Sequence, residues 1–282
     1  MMTTNELINK LIALSIAEDI GDGDHTTLSC IPQDANGKSR LIIKENGVLA
    51  GIAIARRIFE YFDPSLLMEV FINDGTEVKP GDIAFTIEGK VRSILQTERV
   101  VLNMMQHMSG IATTTRRYVN AIAGTRAKVI DTRKTTPGMR LMEKEAVRIG
   151  GGENHRIGLF DMLLIKDNHI DFAGGIRQAI TRAHDYLKAK GEDLKIEIEV
   201  RNINELDEVL CVGGIDRIML DNLSANDTCE AVKRIAGRFE TESSGGITLD
   251  IVRQYAECGV DFISVGALTH SVKNLDMSLK AI

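Results

Sequence analysis

The apolar positions change rhythm along this chain. Near the N-terminus Leu7, Leu11 and Leu14, with Ile8 and Ile12 beside them, recur at helical spacing, which predicts an amphipathic helix. Short alternating runs follow at 38–45 (KSRLIIKE) and 67–72 (LMEVFI), with a helical stretch over 50–62 between them. Turn chemistry at Glu45-Asn46-Gly47 and Asp74-Gly75 punctuates these segments. A longer helical pattern runs from Ser93 to Gly110, carried by Leu95, Val100, Leu102, Met105 and Met108. Residues 1–115 therefore read as an α+β domain.

From residue 116 the rhythm becomes a strict alternation of strand and helix. Apolar runs at 127–131, 162–166, 195–200, 217–221, 238–242 and 261–265 predict six strands. Helical patterns at 175–189, 203–211, 224–236 and 247–257 separate them, with Ser224 and Thr248 as expected N-caps. Gly213-Gly214, Gly237 and Gly259 stand where helices should stop. Strands that recur once per β-turn-α-turn unit predict a parallel sheet or barrel. Six strands fall short of an eight-stranded barrel, so a smaller, irregular one is expected over 116–270.

Charge changes this picture locally rather than globally. The chain carries 34 Lys and Arg against 40 Asp and Glu, a net charge of −6. That balance argues against a nucleic-acid partner, which would call for a basic face. No apolar run approaches the roughly 18–20 residues that span a bilayer. The N-terminal residues lack the charged–apolar–small order of a signal peptide. The four cysteines, Cys30, Cys211, Cys229 and Cys258, show no C-x-x-C or metal-ligand spacing. They are expected to be unpaired packing or surface residues in a reducing cytoplasm.

In parallel α/β folds, ligands bind at the C-terminal ends of the strands. Those ends deliver Arg133-Lys134, Lys166, Glu199, Asp221, Glu242-Ser243-Ser244-Gly245-Gly246 and Gly266 in turn. His155 and Arg156 lie in the segment leading to the second strand. Five cations from turns and strand ends suit a polyanion, because the arginine fork matches a carboxylate and lysine acts as a point charge. The Gly-containing turns SSGGI and SVGAL each follow a strand and precede a helix, where exposed N–H groups can cradle phosphate. Glu199 and Asp221 are oxygen donors suited to sugar hydroxyls or to Mg2+ with its water. Arg140, Lys144 and Arg148 form an i, i+4 row and read as the outer face of a helix. His25 reads as structural.

Six segments carry a family resemblance: EDIGDGDHTT (18–27), QTERVVLNMMQHMSGIAT (96–113), DTRKTTPGMR (131–140), GGGENHRIGLFDMLLIKDNHI (150–170), ESSGGI (242–247) and SVGALTHS (264–271). Across essentially the whole chain they resemble quinolinate phosphoribosyltransferase. The resemblance implies an N-terminal α/β sandwich domain (1–115), a C-terminal six-stranded α/β barrel (116–270) and a final segment (271–282) returning to the first domain. It implies transfer of phosphoribose from phosphoribosyl pyrophosphate (PRPP) to quinolinate with loss of CO2, assisted by Mg2+ and no organic cofactor. Quinolinate contacts would be Arg133, His155, Arg156 and Lys166, with Arg99 donated across a homodimer. PRPP contacts would be Lys134, Glu199, Asp221, Ser244, Gly245, Gly266 and His270, within the segments that also hold Thr132, Gly246 and Val265. Lys134, Glu199 and Asp221 would act on the reacting groups. The alternative is a related phosphoribosyltransferase-like protein of molybdenum operons with a different acceptor. A lipoyl- or biotinyl-type carrier, suggested by VFINDGTEVKPGDI (70–83), leaves most of the chain unexplained.

Overall fold

The computed structural model describes residues 3–282, which fall into two compact units. One comprises the chain up to Arg116, Thr135–Gly151 and Thr269–Ile282; the other comprises Arg117–Lys134 and Gly152–Leu268. Thr135–Gly151, together with Thr269 and His270, lies within the expected second domain (116–270) but groups with the first unit.

Along the chain the elements are α1 (Thr4–Ile20), α2 (His25–Cys30), β1 (Asn36–Ile43), β2 (Gly47–Val48), α3 (Ile52–Phe62), β3 (Leu67–Val70), β4 (Glu77–Val78), β5 (Ile83–Lys90) and α4 (Val91–Ala121). Then come β6 (Lys128–Ile130), α5 (Arg140–Ile149), β7 (Leu163–Ile165), α6 (Asp167–Ala173), α7 (Ile176–Lys190) and β8 (Ile196–Val200). The chain ends with α8 (Ile203–Val212), β9 (Arg217–Asp221), α9 (Ala225–Ile235), β10 (Glu240–Ser244), α10 (Val252–Glu257), β11 (Phe262–Ser264), α11 (Ala267–His270) and β12 (Met277–Ala281).

The first unit is built on an antiparallel sheet of order β12-β1-β5-β3. Its central strand β5 escaped the periodicity reading because Ala84, Phe85, Thr86 and Ile87 are all buried, so the strand has no polar face to alternate with. β12 pairs with β1 from Ser39↔Ala281 to Ile43↔Met277, which ties the C-terminal segment to this unit. A reciprocal cap starts α1: Glu6 N–H donates to Thr3 Oγ1 at 3.2 Å, and Thr3 N–H to a Glu6 carboxylate oxygen at 2.7 Å.

The second unit holds six parallel strands in the order β6-β11-β10-β9-β8-β7. β6 and β7 are its two edges, so the hydrogen bonding leaves the barrel open between them. β8 is buried at every position, as a strand covered on both faces should be.

Several elements and side chains differ from these expectations. β10 begins at Glu240 rather than 238, which moves Glu242 from a strand end to a fully buried mid-strand position. Ser224 caps α9 as expected, accepting from Asp227 N–H, but Thr248 caps nothing. Its carbonyl accepts from Ile251 and Val252 N–H, so a turn precedes α10. Lys144 is not on a solvated face, since it is 1% exposed within α5. The cysteines are not all unpaired either: Cys229 of α9 and Cys258 at the end of α10 are disulfide-bonded, with Cα atoms 4.5 Å apart. Successive βα units lay α9 and α10 side by side, a proximity that a separation of 29 residues does not display.

Candidate active site

The ends of all six strands of the second unit line one cavity of about 570 Å3. Thr132, Arg133 and Lys134 enter it after β6, and Lys166 and Asp167 after β7. Glu199 reaches it from β8, Asp221 and Asn222 from the end of β9, and Ser264 from β11. Ser244, Gly245 and Gly246 enter after β10.

His155 and Arg156 arrive by a different route. Glu153 bridges to Ile130 beside β6, its N–H donating to Val129 carbonyl at 2.9 Å. Two residues on, His155 N–H donates to the buried Asp131 carboxylate at 2.9 Å. The chain then closes on Asp161, which accepts from the N–H groups of Ile157 at 2.7 Å and Gly158 at 2.9 Å. Arg156 extends from this turn and donates to Met162 carbonyl at 3.2 Å.

The cavity is electropositive on one side and short of acceptors there. Among the described residues, Arg133 Nε is buried with no hydrogen-bond partner. Buried donors of this kind ordinarily find an acceptor. Burial and the charge of Arg133 both pull the Arg156 pKa below its usual value, so each guanidinium raises the need for an anion beside the other. Lys166 Nζ is held by Glu199 at 3.1 Å, a pair that a stronger anion would have to divide.

The opposite side is a backbone cradle. Gly245 has φ +96°, and a Cβ there would overlap the Asn222 carboxamide. Asn222 is itself left-handed at φ 54°, its N–H donating to Ser244 carbonyl and its side chain to Asp221. Asn222 was not picked out from sequence; its signal is the Asp-Asn pair at a strand end, where Asn tolerates positive φ.

His155 and Glu242, which also line the cavity, belong to a buried ionic cluster whose other members, Glu197 and Arg217, the strand-end reading missed. His155 Nε2 is 2.9 Å from Glu197 and 3.4 Å from Glu242, and both glutamates are fully buried. Arg217 reaches Glu242 at 3.2 Å, and its guanidinium lies 3.9 Å from the Phe262 ring centre. Burial disfavours the charged ring of His155 and the two carboxylates favour it, a balance that raises its pKa, while the Arg156 N–H directed at Nδ1 favours the neutral ring. Burial and the charge of Glu242 push the Glu197 pKa up to about 7. Glu242 stays below the usual range: burial opposes its charge, and His155, Ser264 and Arg217 together outweigh that. The available signal was the run Ile196-Glu197-Ile198-Glu199, where glutamates alternate inside a strand too apolar to be exposed.

The remaining candidates stand apart from the cavity lining. Val265 is buried and donates its N–H to Ile130 carbonyl, joining the end of β11 to β6. Gly266 follows it into α11. Arg99, exposed on α4, and His270 belong to the first unit.

A basic cavity at the C-terminal ends of a parallel α/β sheet, faced by a glycine cradle and two oxygen-donor side chains, defines an enzyme site for polyanionic substrates. The patterns described as "Quinolinate phosphoribosyl transferase, N-terminal domain" and "C-terminal domain" match residues 24–109 and 111–280. The chain belongs to the quinolinate phosphoribosyltransferase family. It is 49% identical to quinolinate phosphoribosyltransferase [decarboxylating] 1b of Nicotiana tabacum, over 96% of this chain and 81% of the relative. It is 40% identical to the probable nicotinate-nucleotide pyrophosphorylase [carboxylating] of Bacillus subtilis (strain 168), over 96% and 92%. The solved nicotinate-nucleotide pyrophosphorylase of Francisella tularensis superposes with a TM-score of 0.92 at 40% identity, covering 100% of this chain and 98% of that one.

Proposed function

We propose that this cavity joins quinolinate to the phosphoribosyl group of PRPP, giving nicotinate mononucleotide, pyrophosphate and CO2. The observation that carries the reading is the buried, unpartnered Nε of Arg133 in a cavity shared with Arg156 and Lys166. Quinolinate brings two adjacent carboxylates, which Arg133, Arg156 and Lys166 would neutralise, with His155 behind them. Lys134 would face the pyrophosphate of PRPP. Ser244, Gly245 and Gly246 would cradle its 5′-phosphate, with Gly266 and His270 as further contacts. The relatives' names support this reading over a molybdenum-operon homologue.

In the proposed reaction the pyridine nitrogen forms a bond to ribose C1 as the C1–O bond to pyrophosphate breaks. The sugar passes through an oxocarbenium-like state, which Glu199 and Asp221 stabilise while accepting from ribose hydroxyls. The resulting ring cation then takes up the electron pair of the C2–carboxylate bond, CO2 leaves, and C2 gains a proton. Positioning and preorganised charge supply the acceleration, and no side chain acts as nucleophile. Glu199 and Asp221 fit Mg2+, a hard cation that prefers oxygen donors and retains water. Bound with PRPP, Mg2+ would supply neutralising charge to the leaving pyrophosphate.

The same reading makes the enzyme a cytoplasmic homodimer in which Arg99 serves the partner's site. Among the described residues, no helix is long and apolar enough to cross a membrane. The Cys229–Cys258 bond is the observation that counts against a strictly reducing compartment. Pyrophosphate release in the presence of PRPP and Mg2+ tests the acceptor. It should require quinolinate, and nicotinate, with one carboxylate fewer, should not replace it. Equal release with nicotinate would overturn the assignment.

A further inference from the structure

Five charged or titratable side chains run in one connected line, two of which, His155 and Glu242, also line the cavity. Arg217, at the start of β9, holds Glu240 at 3.2 Å and Glu242 at 3.2 Å. Glu242 and Glu197 approach His155 Nε2 from β10 and β8. The other ring nitrogen, Nδ1, accepts the main-chain N–H of Arg156 at 2.7 Å. Asp131 holds the His155 N–H. Both nitrogens of His155 are therefore turned toward protein groups.

Burying this many ionic groups is costly, and a well-packed apolar cluster is often as stable or more so. A metal ion would explain the donors, since ligand atoms of His155, Glu197 and Glu242 lie within 4.8 Å of one another. The geometry argues against it. An Nδ1 that accepts the Arg156 N–H belongs to the neutral ring, whose proton is then on Nε2. In that form Nε2 has no lone pair to offer a metal. Arg217 already occupies one oxygen of Glu242.

We propose that Glu197 and Glu242, anchored by Arg217, are positioning residues for the dicarboxylate substrate, acting through His155 on Arg156. The glutamates hold the His155 ring by its Nε2 edge. The ring, carried on a main chain that Asp131 holds at the His155 backbone N–H, then fixes the Arg156 main chain through Nδ1, and with it the direction from which the guanidinium enters the cavity. Their negative charge has a second effect. Glu197 favours the charged form of Arg156 against the burial and the Arg133 repulsion that oppose it. A cationic pocket for two carboxylates thus rests on a buried anionic layer that sets its geometry and offsets its self-repulsion.

The inference rests on the assignment of Arg156 to quinolinate, so the test carries a control for that assignment. Arg156→Ala should raise KM for quinolinate; an unchanged KM would overturn both readings. Glu197→Gln keeps the shape and removes the charge. It should raise KM for quinolinate about tenfold or more, by the usual cost of losing a charged partner. KM for PRPP should stay within about twofold of wild type. In a His155→Gln background the same change should add nothing, because the path it acts through is already gone. Equal rises in both KM values with a falling melting temperature would show a structural role only. Full additivity in the double variant would show that Glu197 does not act through His155. Should Glu197→Gln fail to fold, Glu242→Gln with Arg217→Gln removes an opposite-charge pair together and is read by the same criteria.

Discussion

Lys166 Nζ is paired with Glu199, 3.1 Å away. The two residues are assigned to different substrates, so binding of quinolinate would release Glu199 toward the ribose. Lys166→Ala should therefore do more than remove one cation. Losing a charge-assisted bond costs about 1.5–3 kcal/mol, or roughly ten- to hundred-fold in kcat/KM for quinolinate. Steady-state kinetics with quinolinate varied at fixed PRPP measure this, and near-normal values would remove Lys166 from the site. At this scale the sequence was informative where chemistry sits at strand ends. Arg133, Lys134, Lys166 and Asp221 follow short apolar runs, and the cavity gathers all four. Residues within the strands were harder to read. Glu197 and Arg217 are polar groups inside a packed sheet, and a strand-end rule passes over them, while Glu242, read as a strand end, lies mid-strand. Asn222 escaped because its left-handed backbone is a property of the folded turn.

Among the elements, α4 and α5 of the first unit carry a titratable pair. His107 Nε2 lies 2.9 Å from Glu143, which is fully buried, and the other ring nitrogen is 3.3 Å from Asn274. The hydrogen bond to Glu143 raises the His107 pKa and outweighs the burial that lowers it. Glu18 and Asp19 line the same cavity of about 340 Å3. A His whose folded pKa is raised contributes stability that is fully present below its unfolded value of about 6.5. That contribution is lost as pH rises through the folded value. The melting temperature of the wild type should exceed that of His107→Gln by a few degrees at pH 6. The margin should shrink steadily as pH rises above about 6.5; a margin constant from pH 6 to 9 would contradict the pairing. Element types were legible wherever an amphipathic rhythm existed, as in α3, α7, α8 and α9; α1 is helical as expected, but Ile12 is its one buried residue, and Leu7 and Leu14 are exposed. They were not legible in β5, which has no polar face. The start of α10 was placed too early because a turn of similar composition precedes it.

At the scale of the whole molecule, the division of the chain is discontinuous. Thr135–Gly151 leaves the second unit's stretch for the first, and the chain returns to the first unit at Thr269. A reading that cuts a sequence into consecutive blocks has no signal for such an excursion, since α5 follows β6 as any crossover helix would. The proposed homodimer belongs to this scale too. Arg99 is exposed on α4 and has no assigned work within its own unit. Mixing an Arg99→Ala subunit with a Lys134→Ala subunit creates, in each heterodimer, one site with both residues intact. Activity should reappear on mixing if sites are shared. No recovery in confirmed heterodimers would mean that each chain completes its own site.

The central claim concerns two neighbours, Arg133 and Lys134, that line one cavity and are assigned to different substrates. Separate KM values for quinolinate and PRPP in Arg133→Ala and Lys134→Ala test it most directly. Arg133→Ala should raise KM for quinolinate about tenfold or more and leave KM for PRPP near wild type. Lys134→Ala should do the reverse. Similar rises in both constants for both variants would show that the two cations serve one undivided anion site.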